Sequence, residues 1–293
     1  MISPTNPGSG PPERAGTVLE TDEDIRQALM AAYKGNVAPP PPSAIYATVT
    51  PPPVDGRPAA PFRPTVRPPV PVLTICDDGR PDGETLRIRE PKFTIGRAEG
   101  DLRFPMDGRM SAKHVAITHQ VVGGLHRWVV SDLQSTHGMF VRVSRTTLAD
   151  GAELIIGGGH YRFDAAQAEP DATVNHLPDA HGAGRTQGLD AGAGAFRPAA
   201  LTEMLGREIG NRVLLAKGEY WVGSDATCPV SRPDDPFCEP RHARLYRGSR
   251  GHWTAEHNRT LNGLWLRMTQ ITVEAMVQFQ VGEQRFKLKI GNG

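Results

Sequence analysis

Residues 92–102 read KFTIGRAEGDL, residues 109–118 RMSAKHVAIT, and residues 131–141 SDLQSTHGMFV. Each joins a short run of apolar, aromatic or β-branched residues to an irregular polar stretch, the texture of a strand running into a loop. The strand runs continue outward on both sides: VLTIC (72–76), TLRI (85–88), RWVVSDL (127–133), MFVRV (139–143), ELIIG (153–157) and HYRFD (160–164). Asp-Gly, Gly-Gly and similar breaks separate them at the spacing of hairpins, so the stretch predicts an antiparallel β-sandwich over 71–166. No competing 3.6-residue period is present.

Before this block, residues 1–70 carry the tracts VAPPPPSA (37–44), TPPPVDG (50–56) and FRPTVRPPVP (62–71). Such tracts favour extended polyproline conformations and supply no core, so the segment is expected to be a disordered Pro-rich arm. Within it, TDEDIRQALMAAYKG (21–35) predicts a short helix over 22–34. Thr21 and Asp24 form a capping pair, acidic residues fill the first turn, and Ile25, Leu29 and Ala32 share one face.

After the block, residues 167–210 return to Ala, Gly, Pro and Asp and are expected to be a linker, with a helical stretch around LTEMLGREIG (201–210). Strand texture resumes at RVLLA, EYWVG, HARLYR, HWTAEH, GLWLRM, QITV, VQFQVG and RFKLKI, predicting a second sandwich over 211–292. The two blocks share an order of features: Gly96 corresponds to Gly223, His114 to His242, Trp128 to Trp253 and Gly138 to Gly263. That is an internal repeat of one module.

The 293 residues carry 33 basic and 32 acidic side chains, a formal net charge of +1, so recognition by charge has to be local. Three cysteines, none in a C-x-x-C pair, fit a reducing compartment, and a cytoplasmic location without membrane spans is expected.

In the first block, Gly-Arg closes a strand, Ser-x-x-His follows 15 residues after Gly96, and Asp-Leu-x-Ser-x-x-Gly follows a Trp-bearing strand. This combination resembles the forkhead-associated (FHA) family, whose members are phosphothreonine-peptide readers. The resemblance implies that Arg97 grips two phosphate oxygens with its planar fork and that Ser111 adds a hydroxyl donor. It also implies that Thr136 and His137 contact the peptide, while Gly96, His114 and Gly138 shape the loops. The sequence departs from the family at His137, usually Asn, and at Ala112, often basic; Lys113 is placed to supply the missing charge. On an alternative reading, Arg97 is a surface arginine paired with Glu99 or Asp101.

The second block has Ser224 and Glu239 where Arg97 and Ser111 stand, so it reads as a degenerate FHA-like module without a phosphate site. Arg241, Arg244, Arg247, Arg250 and Arg259 make a basic cluster, but without interleaved aromatic residues, and nucleic acid is not the expected partner. No enzyme is expected. Ser111, His114 and Asp132 lack a nucleophile elbow, Cys228, Cys238 and His242 match no zinc spacing, and Gly157–Gly159 reads as a hairpin turn. Neither cofactor nor metal is expected.

The expected function is a non-catalytic adaptor that docks on a phosphothreonine-containing protein, a kinase or a kinase substrate, downstream of serine/threonine kinases. The alternative is an assembly protein using both sandwiches as phosphate-independent platforms. Thr17 and Thr21, in TVLETDED, are candidate phosphoacceptors through which the arm would close onto Arg97 in cis; Thr21 as a plain helix cap is the competing reading.

Overall fold

The structure is a computed structural model that describes residues 16–32, 70–76, 83–168, 196–206 and 208–291. The Pro-rich tracts and most of the expected linker lie outside the described residues. The described chain is nearly all strand with one helix, in two compact units. One takes the described residues within 19–142, 259–261 and 268–291, here the Arg97 unit; the other takes those within 16–18, 143–258 and 262–267, here the His242 unit.

The Arg97 unit is a sandwich of two sheets. One runs in the order 270–273, 125–132, 115–122, 92–96, 102–103. The other runs 83–87, 71–76, 284–290, 276–281 and the start of the strand Met139–Thr147. Alternate residues face inward, so Leu73, Ile95, Val115, Ile117, Val130, Met139, Val141, Phe279, Phe286 and Leu288 form one apolar core. Burial of these side chains, at roughly 1.5–3 kcal/mol each, is what holds the sheets together.

The strands that close this sandwich differ from those the sequence suggested. ELIIG and HYRFD are contiguous with the first block, yet Glu153–Ile156 and Gly159–Asp164 pair in the His242 unit with Leu264–Leu266 and Ala200–Glu203. The Arg97 unit is closed instead by the hairpin 276–290: Pro71–Cys76 runs antiparallel to Arg285–Ile290 over six pairs. One buried carboxylate fixes each hairpin. Asp107 Oδ2 accepts the amide of Glu283 at 2.8 Å, and Asp235 Oδ2 accepts the amide of Gly158 at 2.9 Å. The turn residues Gly282 and Gly157 both have φ 61°, and a Cβ on Gly282 would lie 2.4 Å from the Asp107 carboxylate.

In the His242 unit, 208–214, 200–205, 159–164, 153–156 and 264–268 form one ladder, and 253–257, 243–247, 219–223 and 230–231 another. LTEMLGREIG is a strand hairpin rather than helix. Leu201 pairs with Phe163, both buried, and Thr202 Oγ1 donates to Asp164 at 3.0 Å, so tertiary pairing overrides the helix propensity of Leu, Glu and Met.

The helix Asp22–Ala32 forms as expected. Thr21 and Asp24 cap it reciprocally: Thr21 N and Oγ1 donate to Asp24 Oδ2 at 3.0 and 2.7 Å, and Asp24 N donates to Thr21 Oγ1 at 3.2 Å. Tertiary contacts support a helix too short to persist alone. Ile25 and Ala28 are buried, Asp22 pairs with Lys289, and Glu20 makes a buried ion pair with Arg142. Arg142 Nη2 also donates to the carbonyls of Thr260 and Leu261, at 3.3 and 3.0 Å. The Thr17 hydroxyl is bonded to that of Thr146 at 2.9 Å, so both candidate phosphoacceptors have hydroxyls already engaged.

Candidate functional site

Three loops meet at one end of the Arg97 unit. The strand Lys92–Gly96 ends where the backbone must pass beneath the second loop: a Cβ on Gly96 would stand 2.2 Å from the carbonyl oxygen of Ala112. This close approach lets Arg97 N donate to Ser111 O at 2.9 Å, and Glu99 N to Ala112 O at 2.9 Å. The first two loops are therefore tied backbone to backbone.

His114 binds the third loop. It is fully buried; its Nδ1 accepts the amide of Ser111 at 3.0 Å, and Nε2–H donates to the Gly138 carbonyl at 3.0 Å. Burial holds its pKa below the usual imidazole value, offset in part by the Gly138 bond and the Asp132 carboxylate. With both ring nitrogens committed to backbone, His114 has no nitrogen left to serve as base to the Ser111 hydroxyl, so the three residues form no hydrolase triad.

The third loop is shaped from within. The Ser135 hydroxyl donates to Asp132 and accepts the Gly138 amide at 2.9 Å. Gln134 and Gly138 have φ 58° and 79°, left-handed conformations that turn the chain outward between them. Thr136 and His137 at the tip are exposed. The Thr136 amide donates to Ser111 Oγ at 3.1 Å, which leaves the serine hydroxyl hydrogen to donate elsewhere.

Arg97 is exposed, and its guanidinium makes no hydrogen bond or ion pair among the described residues. The two carboxylates the sequence offered as its partners are used elsewhere. Glu99 pairs with Lys113 at 3.2 Å, and Asp101 Oδ2 accepts both Thr94 N and Thr94 Oγ1 at 2.8 Å. Those Thr94 bonds hold the Asp101 carboxyl below its ordinary pKa. The loops bearing Arg97, Ser111, Lys113, Thr136 and His137 are thus brought together.

Sequence reasoning missed Asp107, whose Oδ1 accepts the amides of Arg109 and Met110 at 2.9 and 3.1 Å and so shapes the chain leading into Ser111. An Asp followed by Gly is a turn signal, but its bond to Glu283 links residues too distant for any local pattern. It also misjudged the basic cluster. Aromatic rings are interleaved there: Arg241 lies over Trp221 at 5.7 Å and Arg244 over Tyr246 at 4.6 Å. The guanidinium groups themselves cover those rings.

Residues 93–157 match the family model described as FHA domain. The chain carries an FHA domain. No curated protein matches it. Similar solved structures include full-length yeast Pml1p, 20% identical over 25% of this chain and 57% of that one, with a TM-score of 0.23. An FHA structure solved for phosphothreonine-dependent interactions is 29% identical over 31% of this chain and 91% of that one, with a TM-score of 0.20. Mycobacterium tuberculosis EmbR, in complex with a low-affinity phosphopeptide, is 24% identical over 33% of this chain and 24% of that one, with a TM-score of 0.21. The chain spans little more than half of Pml1p.

The bond pattern around the FHA loops recurs in the His242 unit. Ser224 N donates to Glu239 O at 2.9 Å, His242 Nδ1 accepts Glu239 N at 3.2 Å, and His242 Nε2 meets Gly263 O at 2.9 Å. A Cβ on Gly223 would lie 2.0 Å from Pro240 O, as one on Gly96 would from Ala112 O. Cys228 and Cys238 are buried free thiols, and burial raises both pKa values, that of Cys238 to about 11, which disfavours the nucleophilic thiolate. No helix among the described residues is long and apolar enough to cross a membrane.

Proposed function

We propose that the FHA domain binds a phosphothreonine segment of a partner protein, and that the chain acts as a non-catalytic adaptor downstream of a serine/threonine kinase. The observation that supports this reading is the backbone bond from Arg97 to Ser111, which ties the segment bearing a guanidinium with no partner among the described residues to the segment bearing a hydroxyl that still has a proton to donate. A phosphothreonine offers close to two negative charges and several acceptor oxygens, and an arginine fork with a neighbouring hydroxyl suits them. Lys113 is held by Glu99 in a solvated pair worth about 0–1 kcal/mol, so a phosphate can take it over at little cost. Thr136 and His137, exposed at the tip, serve the peptide backbone. The second unit is then a degenerate FHA-like copy lacking the phosphate donors. Calorimetry with a phosphothreonine peptide tests this: the full chain binds it, the unphosphorylated peptide does not, and Arg97→Ala lowers affinity at least about 100-fold. Unchanged affinity in Arg97→Ala would remove the proposed site.

A further inference from the structure

The geometry points to a metal site on the hairpin 115–132 of the Arg97 unit, where His119 and His126 together hold a divalent transition-metal ion of the nickel, copper and zinc group. Six residues separate the two histidines in sequence, a spacing that signals no metal motif. The fold brings them together.

Val115–Val122 and Leu125–Asp132 pair at eight positions, with His119 opposite Trp128 and Val121 opposite His126. Residues 119, 121, 126 and 128 therefore share one face, on which the two imidazoles are diagonal neighbours. Gly123 and Gly124, with φ 59° and 80°, close the hairpin in a two-residue turn that matches the strand twist. His126 Nδ1 and His119 Nε2 stand 2.9 Å apart and share a hydrogen, and their ring planes differ by 12°. The Trp128 ring packs against that of His119, with centroids 4.9 Å apart.

That separation is the one an ion needs. Two imidazole nitrogens, each about 2.0–2.1 Å from one ion, stand about 2.9–3.4 Å apart as the angle between them widens from square to tetrahedral. The ring that now donates moves its hydrogen to its other nitrogen, so both rings bind as neutral ligands and no proton leaves the pair. His119 Nδ1 and His126 Nε2 make no hydrogen bond among the described residues, so either can take that hydrogen. Arg127 alternates onto the opposite face of the hairpin and does not confront the ion. No third His, Cys, Asp or Glu joins the pair among the described residues, so water fills the remaining positions. Imidazole ligands favour Ni²⁺, Cu²⁺ and Zn²⁺ over Mg²⁺ and Ca²⁺. From Val115 to His119 the strand advances roughly 13 Å, at about 3.3 Å per residue, which keeps the ion clear of the loop that carries Ser111.

The test titrates Zn²⁺, and separately Cu²⁺ and Mg²⁺, into the metal-free full chain in a non-coordinating buffer. Calorimetry follows all three ions, and histidine ring resonances follow Zn²⁺. The expected result is saturable binding of Zn²⁺ and Cu²⁺ but not Mg²⁺, with the His119 and His126 ring resonances shifted and those of His114 unmoved. His119→Gln and His126→Gln are each expected to weaken that binding about tenfold or more. Phosphothreonine-peptide affinity is expected to be the same with and without Zn²⁺, so failure at the FHA loops and failure here read out separately. Ring resonances of His119 and His126 that stay in place at saturating Zn²⁺ would overturn the proposal. So would Zn²⁺ binding as tight in both variants as in the unsubstituted chain.

Discussion

Ser111 and Thr136, 25 residues apart, are joined by a hydrogen bond of 3.1 Å from the Thr136 amide to the serine Oγ. The bond orients the serine hydroxyl while positioning the loop tip that carries His137. Ser111→Ala is therefore expected to lower phosphothreonine-peptide affinity by about tenfold to 100-fold, since a donor to a charged group is lost and an amide loses its partner. Ser111→Thr should retain most of the affinity, and calorimetry on the full chain distinguishes the two.

Gly96 and Gly223 each lie under a carbonyl oxygen, at 2.2 and 2.0 Å from where a Cβ would be. The obstacle in both cases is backbone, which cannot rotate away. Gly96→Ala and Gly223→Ala are each expected to cost on the order of 1–3 kcal/mol or more of stability in urea unfolding. At Gly96 the loss of phosphopeptide affinity should exceed that at Gly223.

Removing residues 268–293 leaves Arg97, Ser111, Lys113, Thr136 and His137 in the chain but takes away the hairpin 276–290 and the strand 270–273, which complete both sheets of their unit. Phosphopeptide binding should disappear in the truncated chain, with loss of dispersed amide resonances from 71–142. Retained binding would mean that another segment can close the sandwich.

His114 is buried neutral, and its pKa is lowered chiefly by that burial, while Gly138, Asp132 and Asp107 pull it up and His137 pushes it further down. In the unfolded chain the ring takes a proton near pH 6.5. The unfolded state binds more protons below that pH, so this contribution to stability is complete above about pH 6.5 and is lost as pH falls toward the folded pKa. The melting temperature should drop from pH 7.5 to 5.5, and the drop should be shallower in His114→Gln.

The Glu20–Arg142 pair is buried and Arg142 also holds two backbone carbonyls. Burial raises the Glu20 pKa while the arginine opposes that rise. Arg142→Ala would strand a carboxylate, so a loss of about 3–5 kcal/mol is expected. Arg142→Leu with Glu20→Leu should recover much of it in the same unfolding assay.

Features within one loop or between adjacent strands were legible in the sequence. The Thr21–Asp24 cap is a three-residue signal, and Gly96, Ser111, His114 and Gly138 lie at spacings that few loops share. The destination of the terminal hairpins was not legible, because ELIIGGGHYRFD and VQFQVGEQRFKLKI carry the same message: alternating apolar residues around a glycine turn. Either fits either core by that criterion. The choice rests on particular pairings such as Leu73 with Leu288 and Phe163 with Leu201, which no local period encodes. The same limit concealed Arg142, whose partner lies 122 residues away.

The hairpin 276–290 also sets a clock. As the chain leaves the ribosome, every side chain proposed to touch a phosphate emerges long before the strand Gln284–Ile290 that seals the core beneath them. A polypeptide interrupted anywhere before that strand carries the loop motif in its sequence without the hairpin that completes its sandwich, so aborted translation products are expected to be silent toward phosphorylated partners.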